Sequence, residues 1–328
     1  MEILLLHERE IRELMGPTQA LPVVRASFVE LARGHAVLPG FINLDLPKTG
    51  AEVHVKGAHL EGSPFFSIKV ASGSYGNPAR GLPVGSGIVL VFDVATGFPR
   101  SVLFDNGYLT ELRTGAAGAL AAELLAKRDV ERVGIVGVGS QARYQLAALF
   151  RVRTPERVIV YGRSEVKATA YAREMEDREG VRVLPAKTVE QAVRGSDVVV
   201  TVTPSRAPLV KPDWVGPGTH LTAVGSDGPE KQELDVGVLK KADKIVADRL
   251  EQCLRIGEIH HAVAAGVVRA DDVYAELGDI AAGLKPGRTS DSEITVADLT
   301  GVGVQDAAVA NFVVETALHR GIGKVLEF

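Results

Sequence analysis

One cysteine, Cys253, is all that the 328 residues contain. A disulfide framework is excluded, and neither a cysteine-based zinc cluster nor a CxxC redox pair can be assembled. No metal site is expected. Charge of one sign is equally absent: 37 Lys and Arg stand against 41 Asp and Glu, a net charge of −4, with both signs mixed along the chain. Nothing marks the basic footprint of a nucleic-acid binder. No apolar run approaches the roughly 20 residues of a membrane helix. The opening Met-Glu-Ile-Leu-Leu-Leu-His-Glu is acidic early and its apolar run is short, so it does not read as a signal peptide. The expectation is a cytoplasmic protein with neither nucleic acid nor membrane as partner. Internal repeats and low-complexity linkers are also missing. What is present is 46% hydrophobic residues and enough chain for two domains with a sizeable core.

The most informative stretch is Val133-Gly-Ile-Val-Gly-Val-Gly-Ser-Gln-Ala142. An apolar run enters a Gly-x-Gly turn at Gly137 and Gly139, and a helix-like run from Gln141 to Phe150 follows. Gly137 allows the tight turn, Gly139 lets a backbone approach a pyrophosphate, and Ala142 is the third small position, where helix meets strand. The pattern alone is weak. Its context is better: strand-like Arg157–Tyr161, a helix from Glu165 to Glu176, a strand at Val181–Leu184, a helix at Val189–Val193 and a strand at Asp197–Thr203 alternate. This predicts a Rossmann-type, doubly wound parallel α/β sheet. A glycine turn in an α/β domain that binds no nucleotide remains the bland alternative. After the second strand, Tyr161-Gly162-Arg163-Ser164 offers no carboxylate for a ribose 2′-hydroxyl. Arg163 and Ser164 lean the choice toward NADP(H), while Glu165, one position on, leaves NAD open.

The first hundred residues differ. A strand at Met1–Leu6, helices at Ile11–Leu14 and Pro17–Arg33, and short strands at Phe41–Leu44, Glu52–Val55, Phe65–Val70, Gly87–Asp93 and Arg100–Asp105 predict an antiparallel-rich α+β domain. A long Ala-rich helix from Leu109 to about Lys127 leads onward. The expected division is 1–115 with 305–328 for this domain and 116–304 for the dinucleotide-binding domain.

Three charged residues stand out as chemistry. Lys69 closes the apolar run Phe65-Phe-Ser-Ile-Lys69, either at a strand end facing water or in a polar cleft. Arg113 falls in what reads as a first helical turn, where it opposes the helix dipole and suits an anionic partner such as a carboxylate; an ordinary surface Arg fits too. Asp227 follows an apolar strand in a Gly-Ser-Asp-Gly turn, at the carboxyl end where open sheets bind ligands. It is a candidate acid/base, or simply a turn former. In Asp298-Leu-Thr-Gly-Val-Gly-Val-Gln-Asp306, backbone amides suit a nicotinamide carboxamide, and Asp306 reads equally as first-turn capping.

Together these segments resemble the ornithine cyclodeaminase/μ-crystallin family. The matching pieces are Ile68-Lys69-Val70, Gly81-Leu-Pro83 to Asp93 with Thr96-Gly97, Leu109-Thr-Glu-Leu-Arg113-Thr, Gly137-Val-Gly-Ser-Gln-Ala142, Val224-Gly-Ser-Asp227 with Lys231-Gln-Glu-Leu234, and Thr300-Gly-Val-Gly-Val-Gln-Asp306. They span nearly the whole chain, in order. The resemblance implies a homodimer built through the N-terminal domain, which would serve substrate binding and dimerisation, and chemistry at the α-carbon of an amino or imino acid, with hydride passing to or from nicotinamide. Lys69 and Arg113 would hold the substrate carboxylate, and Asp227 would be the acid/base at the α-nitrogen. NAD(P) would rest on Gly137, Gly139, Ser140, Gln141 and Ala142, on Arg163 and Ser164, and on Thr203, Val224, Gly225 and Gly301.

The family's activities include imine reduction, amino-acid dehydrogenation, ornithine cyclodeamination with internally recycled NAD, and non-catalytic NADPH-dependent ligand binding. This chain departs from the cyclodeaminase pattern. Leu38-Pro-Gly-Phe41 replaces a Pro-x-Arg, and Lys56 stands where cyclodeaminases carry an acidic residue. A cation there argues against a substrate with a cationic side chain. Val53-His-Val-Lys56, Phe65–Lys69 and Leu103–Leu109 look most like the ectoine-utilisation cyclodeaminase homologues and iminosuccinate reductases. The expectation is a reductase or dehydrogenase of a small imino or amino acid, with Lys56 either meeting a second acidic group or lying solvated on its strand.

Overall fold

The computed structural model describes residues 2–327. By compactness the chain divides into one unit running to Arg113 and resuming at Val302, and a second unit, Thr114–Gly301.

The first unit is a mostly antiparallel sheet covered by helices. Its strands are β1 (Glu2–His7), β2 (Ala36–Val37), β3 (Phe41–Leu46), β4 (Ala51–Leu60), β5 (Phe65–Ser74), β6 (Gly85–Asp93) and β7 (Pro99–Phe104), joined by the late strand Lys324–Glu327. Among the described residues the order is Lys324–Glu327, β1, β7, β6, β5, β4, β2, with β3 also paired to β4. Period-two alternation sets the inner face: Val89 and Val91 of β6 are buried, and so are Phe65, Ser67 and Lys69 of β5. Lys69 thus sits mid-strand on the core side, not at a strand end as the sequence pattern suggested. The apolar run reads as ending at Lys69 because the strand continues in small residues, Val-Ala-Ser-Gly-Ser74.

Helix Gly303–Arg320 packs over β4 and β5. Gly303 makes that possible, since a Cβ there would collide with the carbonyl of Gly57 on β4. Apolar residues of helices Glu8–Leu14 and Pro17–Ala32, including Ile11, Val24 and Phe28, complete the core.

The second unit is a parallel sheet. Its strands are β8 (Arg132–Val136), β9 (Arg157–Tyr161), β10 (Arg182–Pro185), β11 (Val198–Thr201), β13 (His220–Ala223), β15 (Lys244–Ala247), β16 (Ala275–Glu276) and β17 (Thr295–Asp298); β12 (Arg206–Val210) and β14 (Gln232–Leu234) form a separate parallel pair. The order is β10-β9-β8-β11-β13-β17-β15-β16. Every pairing in this sheet is parallel. Central strands such as Val198-Val-Val-Thr201 are buried throughout, as strands covered on both faces must be. The chain runs from β8 outward to β10, then returns to β11 on the other side. That reversal beside β8 is where doubly wound sheets take their ligands. The small residues of helix Tyr108–Leu125 serve close packing: a Cβ on Gly118 would strike the Gln145 amide of helix Ser140–Leu149. Arg153 caps the far end of helix Tyr108–Leu125, donating to the carbonyls of Ala122, Glu123 and Ala126.

Candidate active site

In the second unit, Gly137 has φ +123°, and its N–H donates to Tyr161 O at 2.9 Å. A Cβ there would lie 2.6 Å from Val202 O. Only glycine fits, on both conformational and steric grounds. Gly139 is the extended N-cap of helix Ser140–Leu149, and a Cβ on it would meet nothing within 4 Å. Open space therefore faces the backbone of a helix N-terminus, whose amides carry partial positive charge. Ser140 and Gln141 open the helix, and Ala142 is buried at its contact with Tyr171, whose hydroxyl donates to Ala142 O at 2.9 Å. These features fit a dinucleotide pyrophosphate.

Arg163 is exposed after β9. Ser164 caps helix Glu165–Glu179, accepting from Lys167 N.

The carboxyl ends of β11 and β13 are tied by a residue the sequence did not single out. Glu233, fully buried, accepts from Thr203 N at 2.6 Å and Gly225 N at 2.8 Å. Burial pushes its carboxyl up to about 7, against those hydrogen bonds. Val224 N donates to Thr201 O, Gly301 N to Asp248, and Gly301 O accepts from Gln252. The amides of Thr203, Val224, Gly225 and Gly301 are thus engaged within the protein. Their signal in sequence is only that of small residues after strands.

Asp227 lies just beyond β13, its side chain about half exposed and paired with Lys231 Nζ at 2.8 Å. Lys231 is nearly fully buried, and its carbonyl accepts from His261. The acid/base candidate is therefore held by an ammonium four residues on, in the Lys231-Gln-Glu-Leu234 stretch.

In the first unit, Lys69 Nζ donates to Asp306 Oδ1 at 3.0 Å and Arg113 Nε donates to the same oxygen at 2.9 Å. Arg113 Nη1 donates to Gln305 Oε1 at 3.0 Å. The ion pairs are almost fully buried. Lys56 is buried as well and stands directly opposite Lys69 in the β4–β5 register. Side chains so paired share one face of the sheet and lie ~5 Å apart at Cβ. Burial, with Arg113 and Lys56 close by, pulls the Lys69 ammonium down to about 7 despite Asp306. Burial would raise the Asp306 carboxyl, but Arg113, Lys69 and Lys56 overcome it and hold it low. Nearby Asp105 is raised by burial, although Leu109 N donates to it at 2.9 Å. Two lysines and an arginine thus gather at one firmly ionised carboxylate, with Asp105 close by. Gln305 Nε2 and Asp306 Oδ2 are buried without a hydrogen-bond partner among the described residues.

Arg113 is not in the first turn of its helix. Asn106, with φ +52°, and Gly107 turn the chain, and the helix starts at Tyr108, placing Arg113 in the second turn. Its partner is the Asp306 side chain, so opposition to the helix dipole in a first turn does not apply to it. Asp306 in turn is more than first-turn capping: it joins Lys69, 237 residues away in sequence, and Arg113, 193 residues away, a link no local pattern reveals. The Gln-Asp pair after Gly-Val-Gly-Val was its only trace.

Among the described residues no helix is long and apolar enough to cross a membrane, and no group of three or more His, Cys, Asp or Glu side chains is placed to hold a metal ion.

Residues 1–321 match the model of the ornithine cyclodeaminase/mu-crystallin family. Among solved structures, an archaeal alanine dehydrogenase dimer with bound NAD superposes with a TM-score of 0.93 at 42% identity, covering 100% of both chains. The Δ1-pyrroline-2-carboxylate reductase of Thermococcus litoralis, in complex with NADH and L-proline, gives a TM-score of 0.94 at 33% identity over 98% of this chain and 99% of its own. The iminosuccinate reductase of Paracoccus denitrificans, in complex with NAD+, gives 0.91 at 32% identity over 100% of both. A glycine turn, a buried cation cluster and an overall match of this extent lead to one conclusion: the chain belongs to the ornithine cyclodeaminase/mu-crystallin family.

Proposed function

We propose that this protein is an NAD(P)H-dependent imine reductase, or in the reverse direction an amino-acid dehydrogenase, acting at the α-carbon of a small imino or amino acid. The observation that carries this reading is the buried cluster of Lys56, Lys69 and Arg113 around the single ionised Asp306. A substrate carboxylate brought to this cluster would meet buried, charge-assisted donors. Lys69 and Arg113 hold that carboxylate, with Asp306 and Gln305 fixing the direction of the Arg113 guanidinium. Asp227 delivers a proton to the α-nitrogen in reduction and removes one in oxidation, and Lys231 holds its carboxylate in place. When bound, the nicotinamide supplies or accepts the hydride at the α-carbon, so that C=N becomes CH–NH.

The Gly137–Ala142 turn receives the pyrophosphate. Thr203, Val224, Gly225 and Gly301 would meet the rest of the cofactor by surface contact, since their amides are committed elsewhere. Arg163, exposed with no carboxylate at the strand end, favours the 2′-phosphate of NADP(H), and Ser164 lies beside it. The NAD and NADH in the related structures make the paired comparison of both cofactors essential. Lys56 makes a second acidic group on the substrate welcome, as in iminosuccinate, and an ornithine-like ammonium unwelcome.

The protein is further proposed to work as a homodimer in the cytoplasm. Ile42, Leu44 and Leu46 alternate along β3 and are 58%, 52% and 49% exposed, an apolar stripe suited to a second copy.

The test monitors NADH and NADPH oxidation separately against keto acids with ammonia or methylamine, and against iminosuccinate. Turnover with one cofactor is expected. Ammonia release from ornithine without net NADH would instead show cyclodeamination, and tight NADPH binding without turnover would show a ligand-binding protein.

A further inference from the structure

Arg143 stands at the fourth position of helix Ser140–Leu149, one turn from the glycine turn, where an arginine would ordinarily be taken for a phosphate ligand. Its geometry says otherwise. Nε donates to both Glu174 oxygens at 2.8 and 3.0 Å, Nη2 donates to Glu174 Oε2 at 2.6 Å, and Nη1 donates to Gly139 O at 2.9 Å and Val138 O at 3.2 Å. The guanidinium also lies 5.1 Å from the centre of the Tyr171 ring, and Tyr171 donates to Ala142 O. The hydrogen bond to Glu174 raises Arg143 and lowers Glu174 from their ordinary values, so both stay charged and each offsets the other.

We infer that Arg143 and Glu174 are a positioning pair that fixes the phosphate-binding turn, not ligands of the phosphate; the inference rests on the nicotinamide reading above. Across a trans peptide the C=O and the following N–H point in opposite directions. No peptide bond among the described residues is cis. Drawing Val138 O and Gly139 O toward the guanidinium therefore aims the N–H groups of Gly139 and Ser140 away from it, outward from the turn. Glu174 and Tyr171 both belong to helix Glu165–Glu179, which follows directly on Arg163 and Ser164. The pair thus ties the pyrophosphate turn to the segment proposed to meet the adenosine ribose.

The experiment is fluorescence titration of NADH and NADPH into wild type, Arg143→Lys, Arg143→Met, Glu174→Gln and Glu174→Ala, with steady-state kinetics and melting curves for each. Loss of either partner should weaken cofactor binding by about tenfold or more. At saturating cofactor, kcat and the KM of the imino acid should stay near wild type, a split that general destabilisation would not produce. The sign for Glu174→Ala is decisive. Tighter or unchanged binding would mean that Glu174 was holding back a phosphate ligand, and would overturn the inference, as would wild-type affinity in Arg143→Met. Glu174→Gln keeps the shape and serves if the larger truncations fail to fold. Wild type that binds neither cofactor would overturn the nicotinamide reading itself, before any variant is made.

Discussion

The two units bury charge in opposite ways. In the first, the buried Lys56, Lys69 and Arg113 gather at Asp306, which pairs with Lys69 and Arg113. In the second, the buried carboxylates Glu233, Asp248, Glu258 and Asp298 accept backbone N–H groups: Thr203 and Gly225 on Glu233, Gly301 on Asp248, Glu233 and Leu234 on Glu258, and Ile259 on Asp298. Backbone amides satisfy a carboxylate without neutralising it, and burial still pushes Glu233 and Asp298 up to about 7. Such groups brace loops. The cluster at Asp306 is different, because its buried partners are side-chain cations and not backbone amides. One region holds its own backbone; the other, on the proposed reading, receives the substrate carboxylate.

Removing a cation from the cluster should have the largest effect. Lys69→Met and Arg113→Met are each expected to lower kcat/KM by about 10³-fold or more, because the substrate carboxylate loses a buried, charge-assisted partner. Steady-state kinetics with the imino acid checks this, and a loss under tenfold would erase the distinction between the regions. Asp227→Asn should lower kcat by about 10²–10³-fold while leaving the imino-acid KM near wild type, as loss of a general acid requires. Lys56→Met sharpens the comparison further. It should raise the KM of a dicarboxylic imine by about tenfold and leave that of a monocarboxylic imine unchanged; equal effects on both would assign Lys56 to structure.

The smallest effects are on stability, and their slopes should oppose. Glu233 titrates near 7 in the folded state against 4.5 for the free group, so the folded state holds the extra proton and stability falls as pH rises through that window. Glu233→Gln should lack that fall. Lys69 titrates near 7 against 10.5, so the folded state sheds its proton first and stability rises with pH between those values. Lys69→Met should lack that rise. Melting temperatures across pH, with differences of a few degrees, report both.

The sequence shows the fold well and the site unevenly. Strand–helix alternation from Val133 onward is a strong local signal, and the observed strands follow it within a residue or two. The parallel β12–β14 pair and the joining of Lys324–Glu327 to β1 are long-range pairings of short segments, which periodicity cannot announce. Gly137 was legible because a tight turn demands glycine. Lys69 was visible as a charge in an apolar run, but its depth was hidden, since the run seems to stop where the strand merely turns to small residues. Asp306, Glu233 and Arg143 were not legible as a group, because their roles depend on partners remote in sequence or on backbone atoms. Polar residues of that kind look in sequence like caps and solvated charges.

The claim that the first unit's cation cluster receives the substrate carboxylate is tested most directly by the KM for the imino acid formed from pyruvate and ammonia, measured at saturating cofactor in wild type and Arg113→Met. The account predicts a KM raised by about a hundredfold or more in the variant. An unchanged KM, with kcat alone reduced, would contradict it.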